Sequence, residues 1–212
     1  MRKLIAPVFA FIIISSCSAQ KNVSNDGWIS LFDGKSFNGW KVGNNASSFR
    51  VDSGMIIVNG PVAHLFYDGD VKNHDFKNFE FKAQVMTTPG SNSGIYFHTK
   101  YQEKGFPDNG FEAQVNNSHS DWKRSGSLYD IQDVKEVYAK DNEWYTEYIK
   151  VEGKHVIIKI NDKQVVDYTE PDDYKTTPNH PGRVISSGTF ALQGHDPKSK
   201  VYFKDIMVKP LP

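Results

Sequence analysis

Three short segments of this 212-residue chain carry, at every second position, side chains that move protons or grip hydroxyl groups. In residues 111–116 (FEAQVN), Glu112, Gln114 and Asn116 alternate with Phe111, Ala113 and Val115. In residues 94–100 (GIYFHTK), Tyr96, His98 and Lys100 share one parity while Ile95 and Phe97 share the other. In residues 190–195 (FALQGH), Gln193 and His195 fall together. A glutamate facing a cleft serves as general base or acid once its pKa is tuned. Free imidazole titrates near neutrality, which makes His98, His195 and His64 candidates for proton transfer. The amides of Gln114, Asn116 and Gln193 offer donors and acceptors to sugar hydroxyls. Tyr96, Tyr129 and Trp122 suit stacking on a sugar ring. Lys100 and Arg124, with Lys123, suit an acidic or keto-bearing substrate. Each also has a plainer reading: an exposed strand glutamate, a hydrogen-bonded structural histidine, an amide that satisfies nearby backbone, a solvated loop charge.

A period of two belongs to β-strands, whose side chains point to opposite faces in turn. If the three segments lie in one sheet, their polar faces converge on one site. Residues 79–86 alternate cleanly and read as a half-buried antiparallel strand. Residues 49–51 and 55–58 flank Asp52, Ser53 and Gly54 as a hairpin, and residues 63–67 place His64 and Phe66 on one face. Residues 144–151, 155–160 and 164–168 form a β-branched meander. In residues 201–208 the apolar parity switches from Val201 and Phe203 to Ile206 and Val208, which predicts a bulge at Lys204 and Asp205. Residues 127–130 are expected to form a short strand, and residues 134–142 a helical turn or two. Residues 101–110, 117–126 and 170–183 read as loops. Many short strands and no longer helix predict an all-β, two-sheet antiparallel sandwich or jelly roll.

Lysine and arginine (25) balance aspartate and glutamate (25), so no electrostatic footprint for nucleic acid is present. The sequence has no P-loop, dinucleotide fingerprint, G-x-S-x-G elbow or zinc motif, and no cofactor is expected. A divalent metal would stabilise an enolate, but no ligand motif supports one. The sole cysteine, Cys17, follows a basic start and an apolar run too short to span a membrane comfortably. Residues 14–17 (ISSC) look like a bacterial lipobox. Residues 1–16 then form a lipoprotein signal peptide, Cys17 takes lipid, residues 17–26 form a flexible tether, and residues 27–212 form one domain. The expected location is the cell envelope, with Ser18 favouring the outer membrane, facing periplasm or surface. The lipid anchor is then the only contact with the membrane. The alternative is an ordinary signal peptide cut near Ala19.

Residues 28–40 (WISLFDGKSFNGW), 90–98 (GSNSGIYFH), 110–117 (GFEAQVNN), 126–130 (GSLYD), 143–144 (EW), 189–196 (TFALQGHD) and 201–208 (VYFKDIMV) resemble, in order, the 3-keto-disaccharide hydrolase domain family. The resemblance implies a concanavalin-like jelly roll with a sugar-sized groove on one sheet. It also implies a hydrolase or lyase acting on glycosidic bonds of 3-keto-glycosides. Members often carry an aspartate where this chain has Asn117, so Glu112 stands as the one clear carboxylate, and a two-carboxylate glycosidase scheme loses its second acid. A 3-keto group acidifies the C2 proton, so one base can start elimination at C1. On this scheme Glu112 or His98 removes that proton and His195 protonates the leaving oxygen. Gln114, Gln193 and Lys100 hold the ring or the enolate, and the partner is a carbohydrate or glycoside. The alternative is a non-catalytic carbohydrate-binding lipoprotein that uses the same face.

Overall fold

The computed structural model describes residues 24, 26–176, 178 and 180–212. The expected signal peptide and Cys17 lie outside the described residues. Among the described residues thirteen strands follow in chain order: β1 (Ile29–Ser30), β2 (Trp40–Val42), β3 (Phe49–Asp52), β4 (Met55–Val58), β5 (Ala63–Tyr67), β6 (Phe79–Thr87), β7 (Ser93–Thr99), β8 (Phe111–Val115), β9 (Tyr145–Glu152), β10 (His155–Ile160), β11 (Lys163–Thr169), β12 (Thr189–Gly194) and β13 (Val201–Pro210). They pair antiparallel in two sheets. The larger runs β11-β10-β9-β6-β13-β4-β3, with β1 also against β13, and the smaller runs β2-β5-β12-β7-β8. Face to face, they make the two-sheet sandwich of a concanavalin-like jelly roll.

The inward parities of both sheets meet in an aromatic core. Phe190 on β12 sits at its centre, with ring centroids 4.7 Å from Phe81, 4.8 Å from Phe76 and 4.9 Å from Phe79. Phe97 and Phe111 stack across β7 and β8 at 5.6 Å. The larger sheet has one buried and one wetter face, as the alternation in β6 and β9 requires. The smaller sheet differs. All residues of β5, β7, β8 and β12 are buried, because loops cover its outer, polar face.

The bulge in β13 falls between Lys204 and Met207, with Asp205 at φ 49°. Two local expectations do not hold. Residues 134–142 form no helical turn, and residues 127–130 form no strand. Instead Leu128 makes isolated bridges to Ala113 and Gln132 that cover the β8 edge. A second irregularity lies in β7. Thr189 pairs Thr99 but Ala191 pairs Tyr96, so the register shifts between them, and His98 adopts φ 54°. This shift turns His98 away from the face of Tyr96.

Candidate functional site

Glu112 and Tyr96 are directly opposite on β8 and β7, and Gln193 is opposite His64 on β12 and β5. The four side chains meet on the covered outer face of the smaller sheet. The Tyr96 hydroxyl donates to Glu112 Oε2 (2.7 Å), and Gln193 Nε2 reaches Glu112 Oε1 (3.0 Å) and the Tyr96 oxygen (3.1 Å). Both carboxylate oxygens are therefore oriented. Burial raises the Glu112 pKa. The Tyr96 hydrogen bond, the Arg183 charge and the Gln193 amide oppose burial, and the result is a pKa of about 7. Gly94 leaves space for this carboxyl group: a Cβ there would lie 2.2 Å from Glu112 Oε1.

Above these groups is a cavity of about 300 Å³, lined by Glu112, Gln114, Tyr96, Gln193, Tyr129 and His195 among the expected residues. Gln114 Nε2 is held by Asn92 Oδ1 at 2.8 Å. Gln193 Oε1 is buried without a protein partner. His195 Nδ1 lies 2.9 Å from Asp196 Oδ2. Burial alone would raise the Asp196 pKa, but hydrogen bonds from Ser199, His195 and Lys198 N bring it to about 2. A carboxylate held in this way fixes the imidazole orientation, with Nδ1 toward Asp196 and Nε2 free for a substrate.

The remaining expected residues take other places. His64 lies beneath the site, its ring 5.3 Å from Tyr96, and burial depresses its pKa to about 3, which keeps it neutral. His98 points to the opposite end of the sheet, with Nε2 2.9 Å from the Lys77 carbonyl and Nδ1 accepting from Ser186 N. Burial lowers its pKa to about 4. Lys100 lines a different cavity. Asn116 is spent on its own loop: Nδ2 donates to the Asp121 and Lys123 carbonyls, and Oδ1 accepts from His119 N and Arg124. Arg124 also grips the His119 and Asp121 carbonyls, so it braces that loop. Trp122 is exposed and lies outside the cavity lining.

Sequence reasoning missed Arg183. It lines the cavity, its side chain is 9% exposed, and it donates to the Tyr129 carbonyl at 3.1 Å. Asp130, at φ 59°, lies 3.8 Å from Arg183 and pairs Lys123, whose Nζ sits 3.9 Å from the Tyr129 ring centroid. Gly110 N bonds the Gly182 carbonyl at 2.9 Å and so ties the Arg183 loop to the start of β8. Asp196 and Asn92 were legible only as neighbours of His195 and Gly94 within the motifs quoted above. Among the described residues, no group of three or more His, Cys, Asp or Glu side chains is placed to hold a metal ion.

A family model described as 3-keto-alpha-glucoside-1,2-lyase-like domain matches residues 27–209. A 3-keto-disaccharide hydrolase of Bacteroides thetaiotaomicron is 31% identical over 178 residues, which are 71% of this chain and 61% of that protein. The chain thus spans about three-fifths of the length of this curated relative. A Parabacteroides distasonis protein, solved as a candidate glycosyl hydrolase, superposes with a TM-score of 0.75 at 24% identity, covering 88% of this chain and 95% of that one. The carbohydrate-binding module CBM66 of Bacillus subtilis superposes at 0.59 with 15% identity, covering 81% and 95%. These two likenesses show the shared sandwich fold.

Proposed function

The chain belongs to the 3-keto-alpha-glucoside-1,2-lyase-like family, and from that membership we propose that it cleaves glycosidic bonds of 3-keto-glycosides by elimination. The observation that carries this reading is the buried Glu112 carboxyl group, with a pKa of about 7, oriented by two hydrogen bonds at the floor of a sugar-sized cavity. Glu112, ionised, takes the C2 proton. The C2–H electron pair forms the C1=C2 bond, the C1–O bond breaks, and His195 Nε2–H protonates the leaving oxygen. The products are an unsaturated 3-keto sugar and a free alcohol. Addition of water across C1=C2 completes a net hydrolysis. Arg183 takes the role that the sequence assigned to Lys100, placing positive charge beside the developing enolate. Gln114 and Gln193 hold ring hydroxyls, and Tyr129 walls the ring. The same reading places the enzyme in the cell envelope through lipid on Cys17, which rests on the lipobox-like residues 14–17.

The test is incubation with 3-keto-glycosides and their unoxidised parents, followed by product identification. Cleavage is expected only of the keto forms, with kcat/KM rising through pH about 7 as Glu112 loses its proton. Binding without cleavage of either form would make the protein a carbohydrate-binding module instead.

Gly94→Ala tests position separately from charge. The added Cβ must push the Glu112 carboxyl group aside. Small misplacements of a reacting group are costly, so kcat/KM should fall about tenfold to 10²-fold. The Glu112 carboxyl group remains present, and circular dichroism should match the parent. An unchanged rate would show that this carboxyl position is not critical.

A further inference from the structure

A second cavity, of about 330 Å³, opens on the same outer face of the smaller sheet. It lies further along the strands that build the first. On β5, the His64 ring packs on Tyr96 of the first site and Phe66 lines the second, about 7 Å apart for same-face neighbours. On β12, Gln193 lines the first and Thr189 the second, about 13 Å apart over four residues. The segment after β7 crosses between them. Its Tyr101 ring packs on Phe66 at 5.4 Å, and its Phe106 ring packs on His64 at 5.7 Å. Asn44 N holds the Glu103 carbonyl at 2.7 Å and fastens this crossing to the β2 edge. This segment separates the two cavities.

The lining of the second compartment is both aromatic and polar. Tyr101, 39% exposed and with Lys41 Nζ 3.8 Å from its ring centroid, gives it an aromatic wall, and Asp68, Asn73, Asp75 and Lys100 also line it. Thr99 lines it and carries a fully buried hydroxyl group with no protein partner. Lys72, Asn73 and His74 hold three successive left-handed conformations, at φ 52°, 50° and 47°. L-residues pay for that geometry, and here it turns Asn73 and His74 toward the rim. Carboxylates disfavour an anion but accept hydroxyl hydrogen bonds, and an aromatic face suits the apolar face of a sugar ring.

The geometry points to this compartment as a second, non-catalytic site for a neutral saccharide, one that has no need of a 3-keto group. It holds unoxidised glycan beside the reacting compartment and does not depend on the elimination reading. The test is calorimetric titration of the purified domain with maltotriose, cellotriose, mannotriose and kestotriose. At least one should bind with a Kd on the order of millimolar. Glu112→Gln should bind it as the parent does. Tyr101→Ala should weaken binding about tenfold or more. Asp75→Asn, a surface change that leaves the fold intact, should weaken binding while leaving cleavage of 3-keto-glycosides at the parental rate. Binding of none of the four sugars overturns the proposal. So does binding that Glu112→Gln abolishes and Tyr101→Ala spares, because the sugar then sits in the first compartment. Neither result bears on whether 3-keto-glycosides are cleaved.

Discussion

Glu112→Gln is expected to lower kcat on 3-keto-glycosides on the order of 10²–10⁴-fold, the range for removing a positioned general base. The substitution preserves shape and removes the basic oxygen. The surroundings can accept it. Tyr96 still donates to the remaining carbonyl oxygen, and Gln193 can turn its amide so that Oε1, now without a protein partner, receives the new N–H. A loss of rate with an intact fold is therefore the expected pair of results. Stability offers a second readout. The folded pKa of about 7 lies above the ordinary 4.5, so the unfolded chain releases this proton first as pH rises. Glu112 then costs nothing below about pH 4.5, costs progressively more between about 4.5 and 7, and reaches a penalty on the order of 3 kcal/mol above that. The variant lacks this slope, so thermal melts should show a smaller loss of Tm between those two pH values than the parent shows. Full activity in Glu112→Gln would remove the base from the scheme. A parental pH slope would show that another group carries the titration.

The placement of Glu112, Tyr96, Gln114 and Gln193 on one face was readable from period-two alternation, because apolar neighbours on the opposite parity fixed which side faces the core. The bulge in β13 was readable for the same reason, since Ile206 and Val208 lie downstream to reveal the change of parity. The shift at His98 left no such trace. β7 ends one residue later, so no following apolar pair exposes the turn, and His98 was placed beside Tyr96 when it in fact faces the Lys77 carbonyl. Asn116 has the parity of Gln114 but lies just past the end of β8, where loop backbone claims its amide. Arg183 was the hardest to see. Its loop is located by a contact between residues far apart in the chain, Gly110 N to the Gly182 carbonyl, and alternation says nothing about such a contact. Its position also changes the electrostatic reading of the site, because its charge acts on the Glu112 carboxyl group.

Arg183→Ala is expected to lower kcat/KM about 10²–10³-fold, the usual cost of removing a donor aimed at developing negative charge. Among the described residues its guanidinium gives one hydrogen bond, to the Tyr129 carbonyl, and faces Asp130 only at 3.8 Å. That leaves donors for a substrate oxygen. A fall in rate alone would also follow from a disturbed loop, so the pH profile decides. The Arg183 charge holds the Glu112 pKa below the value that burial alone would impose. Removing it should raise that pKa, and the rise of kcat/KM with pH should move to higher pH than the parental value of about 7. Arg183→Lys separates charge from geometry. A lysine keeps the cation but loses the planar fork, so its profile should stay near the parental position while its rate remains reduced. If Arg183→Ala leaves the profile in place, the guanidinium does not act on Glu112. If it leaves the rate in place as well, Arg183 has no part in the reaction.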